Sequence, residues 1–132
     1  MHESYCSFEV AKLLKEKGFD WDCGNYYKPD GEIVRTLHTN GSRHINSSVL
    51  YENQCLAPTQ QMALRWLREE YYIDILPLVR HVNKFAGELP IKEYSYRIYD
   101  GEGNVMFSGR DWFRAYEKSI EAALEYAIKN LI

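Results

Sequence analysis

Tyr94-Ser95-Tyr96-Arg97-Ile98-Tyr99-Asp100-Gly101-Glu102-Gly103-Asn104-Val105-Met106-Phe107-Ser108 decides the fold class of this chain. Tyr94, Tyr96 and Ile98 alternate with Ser95, Arg97 and Tyr99, the period-two pattern of a strand with one apolar face. Gly101-Glu102-Gly103-Asn104 then turns the chain into a second short strand, completing a hairpin. Just upstream, residues 73–82 are rich in β-branched and apolar side chains. Pro77 within them has no N–H to give to a ladder, which marks an edge strand or a bulge. A further hairpin is read where Pro29-Asp30-Gly31 separates residues 24–28 from 33–37. Asn40-Gly41 offers another turn, pairing residues 34–38 with 44–51.

Three amphipathic helices flank these strands. Val10, Leu13 and Leu14 share one face of a helix over about 7–17, with Ser4 or Ser7 as cap and Gly18 just past its end. Met62, Ala63, Trp66 and Leu67 recur at helical spacing in a second helix that opens at Ala57-Pro58-Thr59, with Thr59 as N-cap, and runs to about Tyr71. Ile120, Leu124, Ala127, Ile128 and Leu131 form the apolar stripe of a third, with Glu117 in its first turn and Lys129 in its last. Runs of strands between helices predict an α+β fold: a mostly antiparallel sheet of about five to six strands packed with three helices. A faint duplication is also readable, with 57–67 loosely matching 115–125 and Met62 opposite Ile120.

Cys55-Leu56-Ala57-Pro58-Thr59-Gln60-Gln61-Met62-Ala63-Leu64-Arg65-Trp66-Leu67-Arg68-Glu69, the opening Phe8-Glu9-Val10-Ala11-Lys12-Leu13-Leu14-Lys15-Glu16-Lys17-Gly18-Phe19-Asp20, and the ending from Tyr116 through Asn130-Leu131-Ile132 together carry a resemblance. They resemble a family of small uncharacterised proteins of gut anaerobic bacteria and their phages or mobile elements. The resemblance implies no activity, cofactor or site residue. It implies one domain, and a Ser or Thr at the position of Ala115, so the third helix here lacks its best N-cap.

The chain has 132 residues, a formal charge of −3, 45% hydrophobic residues and eleven tyrosines. That length predicts a single domain over residues 1–132, and so apolar a composition excludes disorder and collagen-like repeats. Mild acidity argues against a general nucleic-acid binder. No apolar run is long enough for a membrane span, and no secretion signal is visible at the start. Three widely spaced cysteines make a poor disulfide framework, so a reduced, cytoplasmic setting is expected.

Candidate chemistry is sparse. Cys55 just before a helix, with His38, His44 or His81, could form a nucleophile and base, but no glycine-rich oxyanion element accompanies it. A small buried hydrophobe is the simpler account. The cysteines and histidines show no metal-ligand spacing, and Gly101-x-Gly103 is a turn rather than a phosphate loop. The carboxylates Asp20 and Asp22 flank Trp21 in a loop-like stretch, where solvated side chains are ordinary. No catalytic residue, cofactor or metal is therefore assigned.

The aromatic surplus is the feature left over. Alternation turns one member of each adjacent aromatic pair outward, and tyrosine and tryptophan are enriched where proteins bind one another. Tyr27, Tyr72, Tyr96, Tyr99 and Trp112 are the candidate interaction surface. The expected function is a non-catalytic accessory or binding module acting through protein–protein contact, self-association included. One alternative is a nucleic-acid-associated protein of a mobile element, using Arg65, Arg68, Arg80, Arg97, Arg110 and Arg114 as a local basic stripe. Another is a small ligand-binding or hydrolytic domain around Cys55.

Overall fold

A computed structural model describes residues 4–35, 50–51, 53–83 and 86–132. The element order is α1 (Phe8–Glu16), β1 (Asn25–Tyr27), β2 (Ile33–Arg35), β3 (Cys55–Leu56), α2 (Gln60–Tyr71), β4 (Asp74–Val82), β5 (Ile91–Tyr99), β6 (Val105–Ser108) and α3 (Tyr116–Asn130). The α+β class and the three helices follow the sequence pattern. The turn at Asn40-Gly41 and the strand expected over 44–51 lie outside the described residues, apart from 50–51.

The single sheet is corrected to two. β2-β1-β3 form one three-stranded antiparallel sheet and β4-β5-β6 another. β3 is only two residues long and pairs with β1, after which the chain leaves the first sheet through α2. The order strand–strand–strand–helix does occur twice. However, the first strand is central in one sheet and the second strand in the other, so the order repeats without repeating the topology.

Local chemistry explains the helix ends. Ser7 and Thr59 cap α1 and α2, each hydroxyl accepting from the N–H three residues on, at 3.1 Å. Gly18 takes a positive φ just past α1, as the end of a helix favours. α3 starts at Ala115 with extended backbone and no side-chain cap. Ala115→Ser is therefore expected to raise the unfolding free energy by about 1 kcal/mol, read from urea titrations. An unchanged midpoint would mean that solvent already serves those N–H groups equally well.

α3 is the centre of the molecule. Its Ile120, Ala123, Leu124, Ala127 and Ile128 are fully buried. It packs on β4 and β5 of the second sheet and on α1 and α2, while α1 rests on β3 of the first sheet. Tyr126 of α3 stacks on Phe107 with ring centroids 3.7 Å apart, and Tyr116 meets Tyr94 edge-on. Ile75, Tyr96 and Ile98 are buried on this helix-covered face of the second sheet.

The hydrogen-bond directions of the second sheet follow from its register. Tyr94 exchanges both main-chain bonds with Phe113, and Gly109 N–H donates to Tyr96 C=O at 2.9 Å. Even-numbered residues of β5 therefore turn their backbone groups toward β6, and odd-numbered ones toward β4. Leu76 opposes Arg97, Leu78 opposes Ser95 and Arg80 opposes Glu93, so even-numbered residues of β4 complete that ladder. Ile75, Pro77, Val79 and His81 face away from it. β4 is thus an edge strand, as Pro77 suggested, and the ring sits where no ladder bond is lost.

Candidate interaction surface

Strand alternation sets the outer face of the second sheet. With Ile75 and Ile98 directed to the helices, their neighbours Leu76, Arg97 and Tyr99 point outward. The β5–β6 ladder shifts register at Ile98/Tyr99: Phe107 opposes Ile98, but Val105 opposes Tyr99. Met106 is the extra residue of this bulge, and both Val105 and Met106 are exposed. Arg97 lies across the strands, Nε donating to Ser108 Oγ at 3.2 Å and Nη1 to Tyr99 Oη at 3.5 Å.

Tyr72 borders the same end. It closes α2 in the left-handed conformation, φ 56° and ψ 38°, and its Cβ sits against Gly101 in the β5–β6 turn, where a Cβ would be only 3.1 Å away. Asp100 organises that turn. Its carboxylate accepts from the N–H groups of Glu102 and Asn104, and these bonds hold its carboxyl below the usual aspartate range. The ordering they give the turn is present above the ordinary carboxylate range and is lost as pH falls through the lowered value. Leu76, Tyr72, Tyr99, Val105 and Met106 make this end of the face apolar and aromatic.

The other end of the face is closed. Trp112 carries the Arg80 guanidinium 4.2 Å from its ring centroid, and Arg80 pairs with Glu93 at 2.9 Å. Glu93 and Ser95 are buried beside this cluster, and Ser95 Oγ lies 3.4 Å from Gly109 C=O as donor. A Cβ on Gly109 would fall 2.7 Å from Tyr96 Cε1, so glycine is what lets the segment after β6 lie this close.

The five aromatic candidates separate. Tyr72 is 71% exposed, and Tyr99 and Trp112 are half-buried. Tyr27 and Tyr96 are buried and leave the candidate surface. Tyr27 lies against α1, beside Phe8, and donates to Cys6 C=O at 2.6 Å. Tyr96 shares the helix-covered face with Ile98, next to Phe107. Burial pushes both phenols up. Leu76, Val105 and Met106 were not singled out in the sequence, although alternation from Ile75 and Ile98 points at least Leu76 outward.

The other proposed chemistry is not assembled. Cys55 lies in the first sheet and His81 in the second, while His38 and His44 lie outside the described residues. Cys6, Cys23 and Cys55 are buried. Burial raises all three thiols, Cys23 to about 12, so they stay protonated near neutrality. Among the described residues no group of three His, Cys, Asp or Glu could hold a metal ion. Nor is any helix long and apolar enough to cross a membrane.

The basic stripe does not form as a unit. Arg65 pairs with Glu69 on α2, Arg80 with Glu93 on the second sheet, and Arg110 and Arg114 flank Asp111 before α3. Cys55 does line an apolar pocket of about 120 Å3, with Ala11, Phe19, Leu50 and Leu56. A wider cleft of about 370 Å3 lies where the three helix starts approach one another. There the Glu121 carboxylate accepts from Ser7 N–H at 2.7 Å and from Gln60 Nε2 at 3.0 Å.

No family model, curated protein or solved structure matches this chain.

Proposed function

We propose that this chain is a non-catalytic protein-binding module whose contact surface is the apolar end of the outer face of the second sheet. The observation that carries this reading is Tyr72. A left-handed backbone costs a bulky L-residue about 1 kcal/mol or more, and glycine is the residue that usually fills this place after a helix. Here a tyrosine occupies it with most of its ring in solvent. It is the sole non-glycine residue with positive φ among the described residues. Strain kept at an exposed aromatic side chain fits a ring that is needed for contact rather than for folding. Leu76, Tyr99, Val105 and Met106 beside it supply the apolar area that a partner would cover.

The test separates stability from binding. Tyr72→Gly is expected to raise the unfolding free energy by about 1 kcal/mol. A photo-crosslinking amino acid at Met106 is expected to capture a discrete protein in cells that carry the wild-type chain. It should capture none in the Tyr72→Gly background, and the same probe at Glu16 on α1 should capture none in either. Equal capture with and without the Tyr72 ring, or no capture at Met106, removes the reading.

A further inference from the structure

The edge of the second sheet carries a second kind of information. β4 is nine residues long and, among the described residues, bonded on one side alone. No backbone hydrogen bond joins the outward N–H and C=O groups of Ile75, Val79 and His81 to other described residues. Leu76 on one face is 51% exposed and Val79 on the other 54%. On the face turned to the helices only Ile75 of β4 is buried, while Pro77, Val79 and His81 are exposed. Long, apolar, open edges are templates for adding another strand, and proteins usually shorten, charge or cover them. β4 carries the charged side chains of Asp74 and Arg80, and Pro77, whose ring removes one outward donor.

We propose that β4 pairs with β4 of a second copy of this chain, antiparallel about a two-fold axis through Leu78, making one continuous six-stranded sheet. The register follows from the outward groups. Only Ile75, Pro77, Val79 and His81 can bond across the new seam, so they must oppose one another. Centred on Leu78, Ile75 opposes His81 and Pro77 opposes Val79, twice each by symmetry. Of the eight main-chain bonds this arrangement offers, the two prolines withhold two, leaving six. Centring the pair one residue either way leaves four, and larger shifts leave four or fewer. Pro77 does not close the edge; it selects one alignment.

The side chains agree with that alignment. On the outer face Leu78 meets its own copy and Leu76 meets the stem of Arg80, whose guanidinium stays with Glu93 and Trp112 of its own chain. On the other face exposed Val79 meets exposed Pro77. The centre of the seam is apolar and matches itself, as a self-complementary two-fold contact requires. This pairing deepens the reading of the second sheet as a contact surface, because it sets two copies of the outer face side by side. It can fail alone: purified protein tests the seam, whereas crosslinking at Met106 tests the face.

Light scattering on purified protein across a concentration series should give twice the 15.6 kDa chain mass. Leu78→Lys and Leu78→Glu each place like charges against each other at the axis, so each should scatter as a monomer. Mixing the two should restore the dimer, and added salt should weaken it. Val79→Pro removes an outward N–H and leaves the β4–β5 ladder whole. It should weaken the wild-type dimer about ten-fold or more, and it decides the matter if the charged variants lose their far-ultraviolet circular dichroism. A wild-type monomer overturns the proposal, as do charged variants that stay dimeric, a folded mixture that stays monomeric, or a Val79→Pro dimer as tight as wild type. A dimer disrupted by Met106→Glu and indifferent to Val79→Pro would place the contact on the face instead.

Discussion

Leu124→Ala is expected to lower the unfolding free energy by about 2–5 kcal/mol in urea titrations, with the slope against denaturant unchanged. Leu124 is fully buried in the middle of α3, between Ile120 and Ile128, which are also fully buried. The loss has two parts. The apolar atoms removed no longer gain from leaving water, and the space left behind strands its lining without contacts. The upper part of the range applies where the surroundings cannot collapse. α3 is held on one side by the sheet through Tyr94 and Phe107 and on the other by α1 and α2, so little collapse is possible. A loss below about 1 kcal/mol would mean that α3 slides to refill the site.

Glu121→Ala is expected to cost about 2–4 kcal/mol, although the side chain lies beside a cleft rather than in the core. One carboxylate oxygen receives the Ser7 N–H at the start of α1, and the other receives the Nε2 of Gln60 at the start of α2. Gln60 is itself buried. Its Nε2 also reaches Glu117 C=O at 3.0 Å, so removing Glu121 leaves one of its two N–H donors without a protein partner. Charge-assisted bonds of this kind are about twice as strong as neutral ones, and an orphaned buried donor adds its own desolvation cost. Glu121→Gln should cost less, since an amide oxygen can still accept from Ser7 while its NH2 opposes that of Gln60. Equal losses for the two variants would show that the charge, not the acceptor pair, matters.

Much of the fold was legible because the elements are long and periodic. The stripe from Ile120 to Leu131 and the alternation from Tyr94 to Tyr99 each repeat often enough to fix both type and face. Pro77 disclosed its edge position because a missing N–H is tolerated in few places. The division into two sheets was not legible: β3, at Cys55 and Leu56, is too short to show a period, and pairing with β1 leaves no local mark.

The candidate surface was legible in part, and its errors share a cause. Tyr27 was misplaced because both faces of β1 are covered. Tyr27 packs with Phe8 and Ala11, while its neighbour Tyr26 packs against the main core. Alternation says only that the two point apart. Tyr96 belonged with Ile98 on the apolar face, and its assignment to the surface went against the pattern of its own strand. The burial of Glu93 and Ser95 has no local signal, because a distant loop brings Trp112 and Gly109 to them.

The clasp between Ser7 and Glu121 bears on how quickly this protein reaches its native state. The two residues are 114 positions apart, and α1 packs against α3 across the same interval. The β4–β5–β6 meander joins neighbours in sequence and can form early. Docking of α1 on α3 must instead wait for a very long loop to close. The entropy of closing a loop grows only logarithmically with its length, so this distance costs little in stability. It acts on rate: chains dominated by such distant contacts fold in milliseconds to seconds rather than microseconds. During that wait, the apolar stripe of α3 and the open edge of β4 are both exposed to other molecules.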